Sequence, residues 1–290
     1  MFDRLPPART DSLMQLGLLM QADPGVDKID LGVGTYRDER GAIPIMMAVK
    51  TAEQTILNAQ TSKGYVGPAG DMHGCCDNPT GADLSLDSWR KAAMVAVNRG
   101  LTPLIDLAYP GLGDGVEEDV AGVRALLDVC ETALVALSCS KSFGLYRDRA
   151  GMLMMLSGSA ATAANLGQTA AGQARLLWSN PPDHGAAVVK AVLSSPELTH
   201  QWRAELDAMR VRVNAVRTRL SGIPLQRLDL SRLSQQRGMF ALLPLSSDQV
   251  QALRERHAVY VDASGRINVA GLNDSNFARF AAGLADVDLA

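Results

Sequence analysis

The 290-residue sequence predicts an α/β fold: a mostly parallel sheet in the larger part, then a smaller α+β layer. Three observations carry this. From residue 29 to 156, short apolar, β-branched runs alternate with longer stretches of helical periodicity, the strand–loop–helix rhythm that builds parallel sheets. After residue 220 the pattern changes to short strands and helices in quick alternation. Finally, Asn78, Asp106 and Lys141 each fall at or just past a predicted strand end, where ligands bind in open α/β sheets.

The elements follow in order. Residues 10–22 predict a short amphipathic helix capped by Thr10 or Asp11. Ile29 to Val33 reads as a strand entering the turn at Gly32–Gly34. Pro44 to Gln60 is a helix with proline in its first turn. A glycine-rich loop, SKGYVGPAG, is followed by a strand-like MHGCC and the turn Asn78-Pro79-Thr80-Gly81. Asp83 or Ser85 caps a helix through Asn98. Leu101 to Leu107 is an apolar strand, and a helix lies near Glu117–Cys130. Ala133 to Leu137 reads as a buried strand, and Ala150 to Leu156 as another. Helices are predicted over 158–177, 184–193 and 196–220. GMFALL, a helix from Ser247, HAVYV, SGRINVAG and a helix from Asn273 complete the chain.

Composition excludes several classes. Apolar residues make up 47% and charged residues 20%, which describes a folded globular chain. The net charge of −3 argues against a nucleic-acid surface. No apolar stretch is long enough for a membrane span, and the N-terminal MFDRLPPARTDS lacks a signal peptide's apolar region. Cys75, Cys76, Cys130 and Cys139 show no CxxC spacing and read as free thiols of a reducing cytoplasm. The four histidines are scattered and make no metal-ligand pattern, so no metal is expected.

Lys141 is the residue with the most unusual setting. It follows a strand and sits among Ser138, Cys139, Ser140 and Ser142, not among charges. A partly desolvated amine loses its proton more readily and can form a Schiff base with an aldehyde. A buried aspartate on a neighbouring strand end can hold a pyridine nitrogen protonated, and an asparagine can hydrogen-bond a ring oxygen. A serine and an arginine near the lysine can bind a phosphate. Together these are the needs of a pyridine-aldehyde cofactor. Each residue has a plainer reading: a solvated lysine, an aspartate in a turn, an asparagine favoured by Asn-Pro itself.

Five segments in order resemble one family. CCDNPTG at 75–81, IDLAYPG at 105–111, SCSKSFGLYRDRAG at 138–151, WSNPPDHGA at 178–186 and SGRINVAG at 264–271 look like class I aminotransferases, in the aspartate/aromatic amino-acid branch. The resemblance spans almost the whole chain. It implies the fold type I of pyridoxal-phosphate-dependent transferases. Residues 1–43 would form an N-terminal arm and part of the small domain, 44–195 the large cofactor-binding domain and 196–290 the C-terminal small domain. It implies transamination between an aromatic or dicarboxylic amino acid and a 2-oxo acid, in a cytoplasmic homodimer. Lys141 would hold pyridoxal 5'-phosphate and move the substrate proton. Asp106 would pair with the ring nitrogen, with Asn78 and Tyr109 at the ring oxygen. Ser138, Ser140 and Arg149 would bind the phosphate, joined by Tyr65 across the dimer. Arg266 would grip the substrate α-carboxylate, Gly34 and Phe240 would line the substrate, Arg175 would reach across the dimer to a substrate side-chain carboxylate, and Ser179 would lie at the shared boundary. Arg266 speaks against decarboxylation, the rival chemistry, because it keeps a carboxylate in place.

The chain is too short for that family, whose members run to roughly 400 residues. The shortfall falls at one internal seam, near Gly70–Met72. The missing stretch would hold several strands, the phosphate-gripping loop, the ring-stacking aromatic and the histidine behind the ring aspartate. A shortened large domain, an exposed sheet edge and weak cofactor binding are therefore expected, with a catalytically impaired remnant as the alternative to an active enzyme.

Overall fold

A computed structural model describes residues 12–32, 34–59 and 74–289. Thr10, Asp11, Tyr65 and the seam at Gly70–Met72 lie outside these residues. The chain opens with helix α1 (Ser12–Ala22), strand β1 (Ile29–Asp30) and helix α2 (Met47–Ala59). The amide of Ala48 in the first turn of α2 donates to Glu205 Oε1 at 3.2 Å. A carboxylate there satisfies an orphan donor and complements the helix dipole.

A mixed three-stranded sheet carries the central region. Helix α3 (Leu86–Arg99) precedes β2 (Leu104–Leu107), helices α4 (Val116–Asp119) and α5 (Ala121–Leu127), and strands β3 (Ala133–Ser138) and β4 (Gly151–Leu156). The order is β2-β3-β4, with β2–β3 parallel and β3–β4 antiparallel. Ser85 is the N-cap of α3, accepting from the Ser88 amide at 3.1 Å. Ile105 and Leu107 of β2 join Ala93, Ala96, Val123, Leu126, Ala133 and Val135 in a core between the sheet and α3/α5. Alternation along a strand then places Leu104 and Asp106 on the opposite face. Leu104 is 71% exposed, and β2 is an edge strand among the described residues.

Several local expectations need correction. Helix α2 begins at Met47, so Pro44 precedes it and does not sit in its first turn. Gly74, Cys75 and Cys76 form a turn, not a strand; Cys76 has φ +58°, left-handed backbone that no strand accommodates. The helix expected near Glu117–Cys130 is two pieces that break at Val120. There Asp119 turns its carboxylate back to the loop, accepting from the amides of Gly111, Gly113 and Asp114 at 2.8–2.9 Å.

The larger core lies around α8. Helices α6 (Ala160–Trp178), α7 (His184–Ser194) and α8 (Pro196–Ser221) follow the sheet, then β5 (Phe240–Leu242), α9 (Ser247–His257), β6 (Val259–Tyr260), β7 (Arg266–Asn268) and α10 (Phe277–Leu289). Strands β1 and β6 pair in parallel, and β5 and β7 antiparallel. Helix α8 starts at Pro196 behind the Ser195 cap, and it buries Trp202, Leu206, Met209, Val213, Val216 and Leu220 along one stripe. Helix α6 differs, for of its 19 residues only Ala174 is buried.

The α8 stripe sets a stability test. Leu206→Ala, at a fully buried position, is expected to cost about 2–5 kcal/mol. Val211→Ala, 64% exposed on the same helix, is expected to stay within about 0.5 kcal/mol. Urea unfolding of both variants checks the contrast.

Candidate active site

Six of the residues singled out by sequence come together where the sheet, the 74–83 loop and the β5–β7 pair meet. Lys141 Nζ lies 4.8 Å from the centroid of the Tyr109 ring. The Asn78 side chain hydrogen-bonds the Tyr109 hydroxyl and accepts from Arg266 Nη1 at 3.1 Å. The Arg266 guanidinium carbon stands 4.8 Å from the Phe240 ring centroid, and Phe240 meets Tyr109 edge-on at 6.1 Å. Gly34 closes the group from the other side. A Cβ at that position would lie 2.5 Å from Phe240 Cζ, so any side chain there would displace the aromatic ring.

Local sequence explains these positions. Lys141 follows β3 by three residues, at the same sheet end as Asp106 because the β2–β3 register pairs Asp106 with Ala136. Asn78 sits in a turn closed by the Gly81 amide donating to Asp77 O at 2.7 Å. Arg266 starts β7 directly after Gly265, whose φ of +83° turns the chain into the strand.

The electrostatics are unequal across the site. Tyr109 is buried, and burial pushes its hydroxyl up to about 12. Tyr146, whose hydroxyl accepts from the Tyr36 amide at 3.0 Å, is likewise pushed to about 12 by burial. Arg266 Nε is buried and has no hydrogen-bond partner among the described residues.

Asp106 departs from expectation. It is exposed, not buried, because it lies on the β2 face opposite Ile105 and Leu107. It lines a cavity of about 530 Å³ together with Asn78, Tyr109, Cys75, Asp77, Asp83 and Trp89.

The expected phosphate group is partly assembled. Ser138 ends β3 opposite Gly151, and the buried Ser140 donates its amide to Ser138 Oγ at 3.2 Å. Arg149 is exposed, with φ +54°, and its Nη1 donates to Tyr146 O at 3.3 Å. Arg175 and Ser179 lie exposed at the end of α6, beside Leu176 and Leu177, which are 81% and 73% exposed. Tyr65 is outside the described residues.

Sequence reasoning passed over three residues that build this site. Arg217, 1% exposed, donates to the carbonyls of Arg237, Gly238 and Phe240. Its signal was a charge four residues after Val213 in the apolar stripe of α8. Trp202 donates Nε1 to Ser142 O at 2.7 Å and stacks on Phe143 at 4.5 Å, fixing the loop after Lys141. Tyr146 lies inside the SKSFGLYRDR segment itself. Among the described residues, one trio of potential metal ligands, Cys75, Cys76 and Asp119, has ligand atoms within 4.8 Å of one another. The Asp119 carboxylate there already accepts backbone amides, and the Cys76 thiol is held well above its usual range by its hydrogen bond with Cys75 and by burial.

An α/β protein with an amine, a carboxylate and a buried phenol gathered at sheet strand ends is an enzyme of the cofactor-binding type. Comparison with known proteins names the family: the aminotransferase class I and II pattern matches residues 72–284, and the chain belongs to it. It is 36% identical over 383 positions to a tyrosine aminotransferase of Rhizobium meliloti (strain 1021), covering 97% of this chain and 98% of the relative. It is 32% identical to an aromatic-amino-acid aminotransferase of Paracoccus denitrificans, covering 99% and 100%. Among solved structures, an aromatic-amino-acid aminotransferase from Burkholderia pseudomallei, covalently bound to pyridoxal phosphate, superposes with a TM-score of 0.92 at 29% identity over 99% of both chains. The 383-position alignment is longer than this 290-residue chain, so the relative contains a long stretch with no counterpart here. The family match starts at residue 72, where the seam was expected.

The raised tyrosines make a pH prediction. An ordinary tyrosine ionises near 10, so between pH 10 and 12 the unfolded chain loses phenol protons that folded Tyr109 and Tyr146 keep. Stability from these groups is complete below pH 10 and is lost as pH rises through 12. At pH 11, Tyr109→Phe is expected to leave the 295 nm phenolate absorbance of the folded protein unchanged. In denaturant the same substitution removes one tyrosine's signal.

Proposed function

We propose that this chain is a pyridoxal-phosphate-dependent aminotransferase acting on an aromatic or dicarboxylic L-amino acid and a 2-oxo acid. The observation that carries the reading is the linked set Lys141–Tyr109–Asn78–Arg266, an amine, a buried phenol and a guanidinium joined through one amide. The donor set fits the cofactor at its ring. Asp106 at the end of β2 would pair with the ring nitrogen, Asn78 and Tyr109 would meet the ring oxygen, and Lys141 would hold the aldehyde carbon. Ser138, Ser140 and Arg149 would take the phosphate. Bound pyridoxal 5'-phosphate supplies the electron sink for breaking a bond at the amino-acid α-carbon.

The chain's own groups would do the rest. Tyr109 stays a phenol at neutral pH, since burial raises it to about 12, and can therefore donate a hydrogen bond. Arg266 would bind the substrate α-carboxylate as a two-pronged fork, using the Nε that has no hydrogen-bond partner among the described residues. Lys141 would move a proton at its Nζ. Gly34 and Phe240 would leave room for, and wall, the substrate side chain. Tyr65, Arg175 and Ser179 would act across a homodimer boundary, for which the exposed end of α6 is the support. The resemblance to bacterial relatives supports a cytoplasmic setting. Among the described residues no helix is long and apolar enough to cross a membrane.

A second reading is favoured by exposed Asp106 and the open edge of β2: a remnant that binds the cofactor weakly and turns over little. Spectral titration with pyridoxal phosphate separates the two. The first reading expects a saturable visible band that Lys141→Ala abolishes, and one equivalent of 2-oxo acid released per site from phenylalanine, aspartate or glutamate. No lysine-dependent band and no 2-oxo acid would establish the second. In the active case, Arg266→Lys is expected to raise the amino-acid KM at least about tenfold, equal to ~1.4 kcal/mol of lost carboxylate binding.

A further inference from the structure

A second cavity, of about 550 Å³, lies against the loop that carries Lys141 and shares no lining residue with the cavity at Asp106. Its walls are apolar. Leu137 of β3, Met152 of β4, Val189 of α7 and Trp202 of α8 line it, with Val120 and Phe143. On this wall Ser142 O already accepts from Trp202 Nε1 at 2.7 Å. Against mostly apolar side chains a buried charge on the ligand is costly, which selects against polar tails. The volume suits a small ligand.

The rim has the opposite character. Glu117, Arg124 and Lys190 line it. Glu117 is shared between Arg124 Nη2 at 2.6 Å and Arg203 Nη2 at 3.2 Å. Of the charged lining residues, Arg124 and Lys190 stand against the single carboxylate of Glu117, so the lining carries one net positive charge. An apolar interior under a cationic rim is complementary to a molecule with an apolar tail and one anionic head.

We propose that this cavity binds an amphipathic monocarboxylate, an aliphatic or aryl-alkyl chain with a single carboxylate at its end. The chain packs on Trp202 and Phe143, and the head group lies between Arg124 and Lys190. Phe143 stacks on Trp202 with ring centroids 4.5 Å apart, and the two directly support Ser142, the neighbour of Lys141. Occupation of the cavity therefore presses on the loop that carries the Schiff-base candidate, and the site is placed to modulate it. Nothing in this proposal requires the cofactor, so it stands or falls separately from the function proposed above.

The test uses the full chain and sodium decanoate, with tryptophan emission and calorimetry as readouts. One saturable site is expected, with an emission change that Trp202→Phe removes while Trp89 and Trp178 remain. The double variant Arg124→Glu/Lys190→Glu, at exposed positions, is expected to weaken decanoate about tenfold, as is replacing the probe with decyltrimethylammonium. Val120→Phe, which fills the cavity, is expected to weaken decanoate without affecting the charge selectivity. No saturable binding would overturn the proposal. So would equal affinity for the cationic probe, or decanoate binding unchanged in the charge-reversed variant.

Discussion

The site depends on one buried guanidinium. Among the described residues Arg217 makes no ion pair; its guanidinium donates to the carbonyl oxygens of Arg237, Gly238 and Phe240. Burial lowers its pKa to about 10, so it stays charged at neutral pH. A cation held only by carbonyl dipoles demands that those carbonyls stay in place, because every lost bond leaves charge in a poorly solvating interior. The constraint propagates. The Arg237 amide donates to Gly81 O at 2.8 Å, tying the 237–240 segment to the turn that carries Asn78. Gly81, with φ +72°, has no room for a Cβ, which would lie 2.8 Å from Arg217 Nη2. One side chain of α8 thus helps to fix both Phe240, from β5, and the turn that carries Asn78, far away in sequence.

The geometry of the substrate end follows from that anchor. Phe240 is held at its carbonyl by Arg217, and its ring is pressed between Gly34, Tyr109 and Arg266. The Arg266 guanidinium is held by this ring and by Asn78, and its buried Nε has no hydrogen-bond partner among the described residues. A guanidinium positioned by two rigid neighbours loses little freedom on gripping a carboxylate. Trp202, from the same helix α8, performs the matching task for the 141–143 loop through Ser142 O. Helix α8 therefore supports both the loop after Lys141, through Trp202, and Phe240 beside Arg266, through Arg217.

The strands and their chemistry were legible because they are local. Short apolar runs marked β2 and β3, and the motif lysine, asparagine and arginine follow strand ends or turns that short sequence patterns specify. What was not legible depends on contacts far apart in sequence. Arg217 reaches the 237–240 segment and, through it, Gly81. The turn at Gly74–Cys76 looked like a strand because its residues are small and apolar. Its conformation comes instead from packing, since a Cβ on Gly74 would meet Ile105 and Val123, and one on Gly238 would meet Cys76. The exposure of Asp106 could not be read from β2 either. The sequence indicates that a covering segment is absent, but not which face of the strand it leaves open.

That face decides how much the ring aspartate can contribute. The two-residue period of β2 puts Ile105 and Leu107 into the α3/α5 core, so Asp106 must point the other way whatever covers it. In a closed site it would attract a protonated ring nitrogen at low effective dielectric. Exposed, it acts through water. At 4 Å the attraction of opposite unit charges is about 4 kcal/mol at an effective dielectric of 20 and about 1 kcal/mol in bulk water. The difference, about 3 kcal/mol, is roughly two orders of magnitude in an equilibrium constant. Tyr109, by contrast, is buried, so its hydroxyl keeps a low-dielectric setting that Asp106 lacks. If Asp106 is the ring partner proposed above, its exposure would therefore lower cofactor affinity, while the buried phenol of Tyr109 would be untouched by that loss.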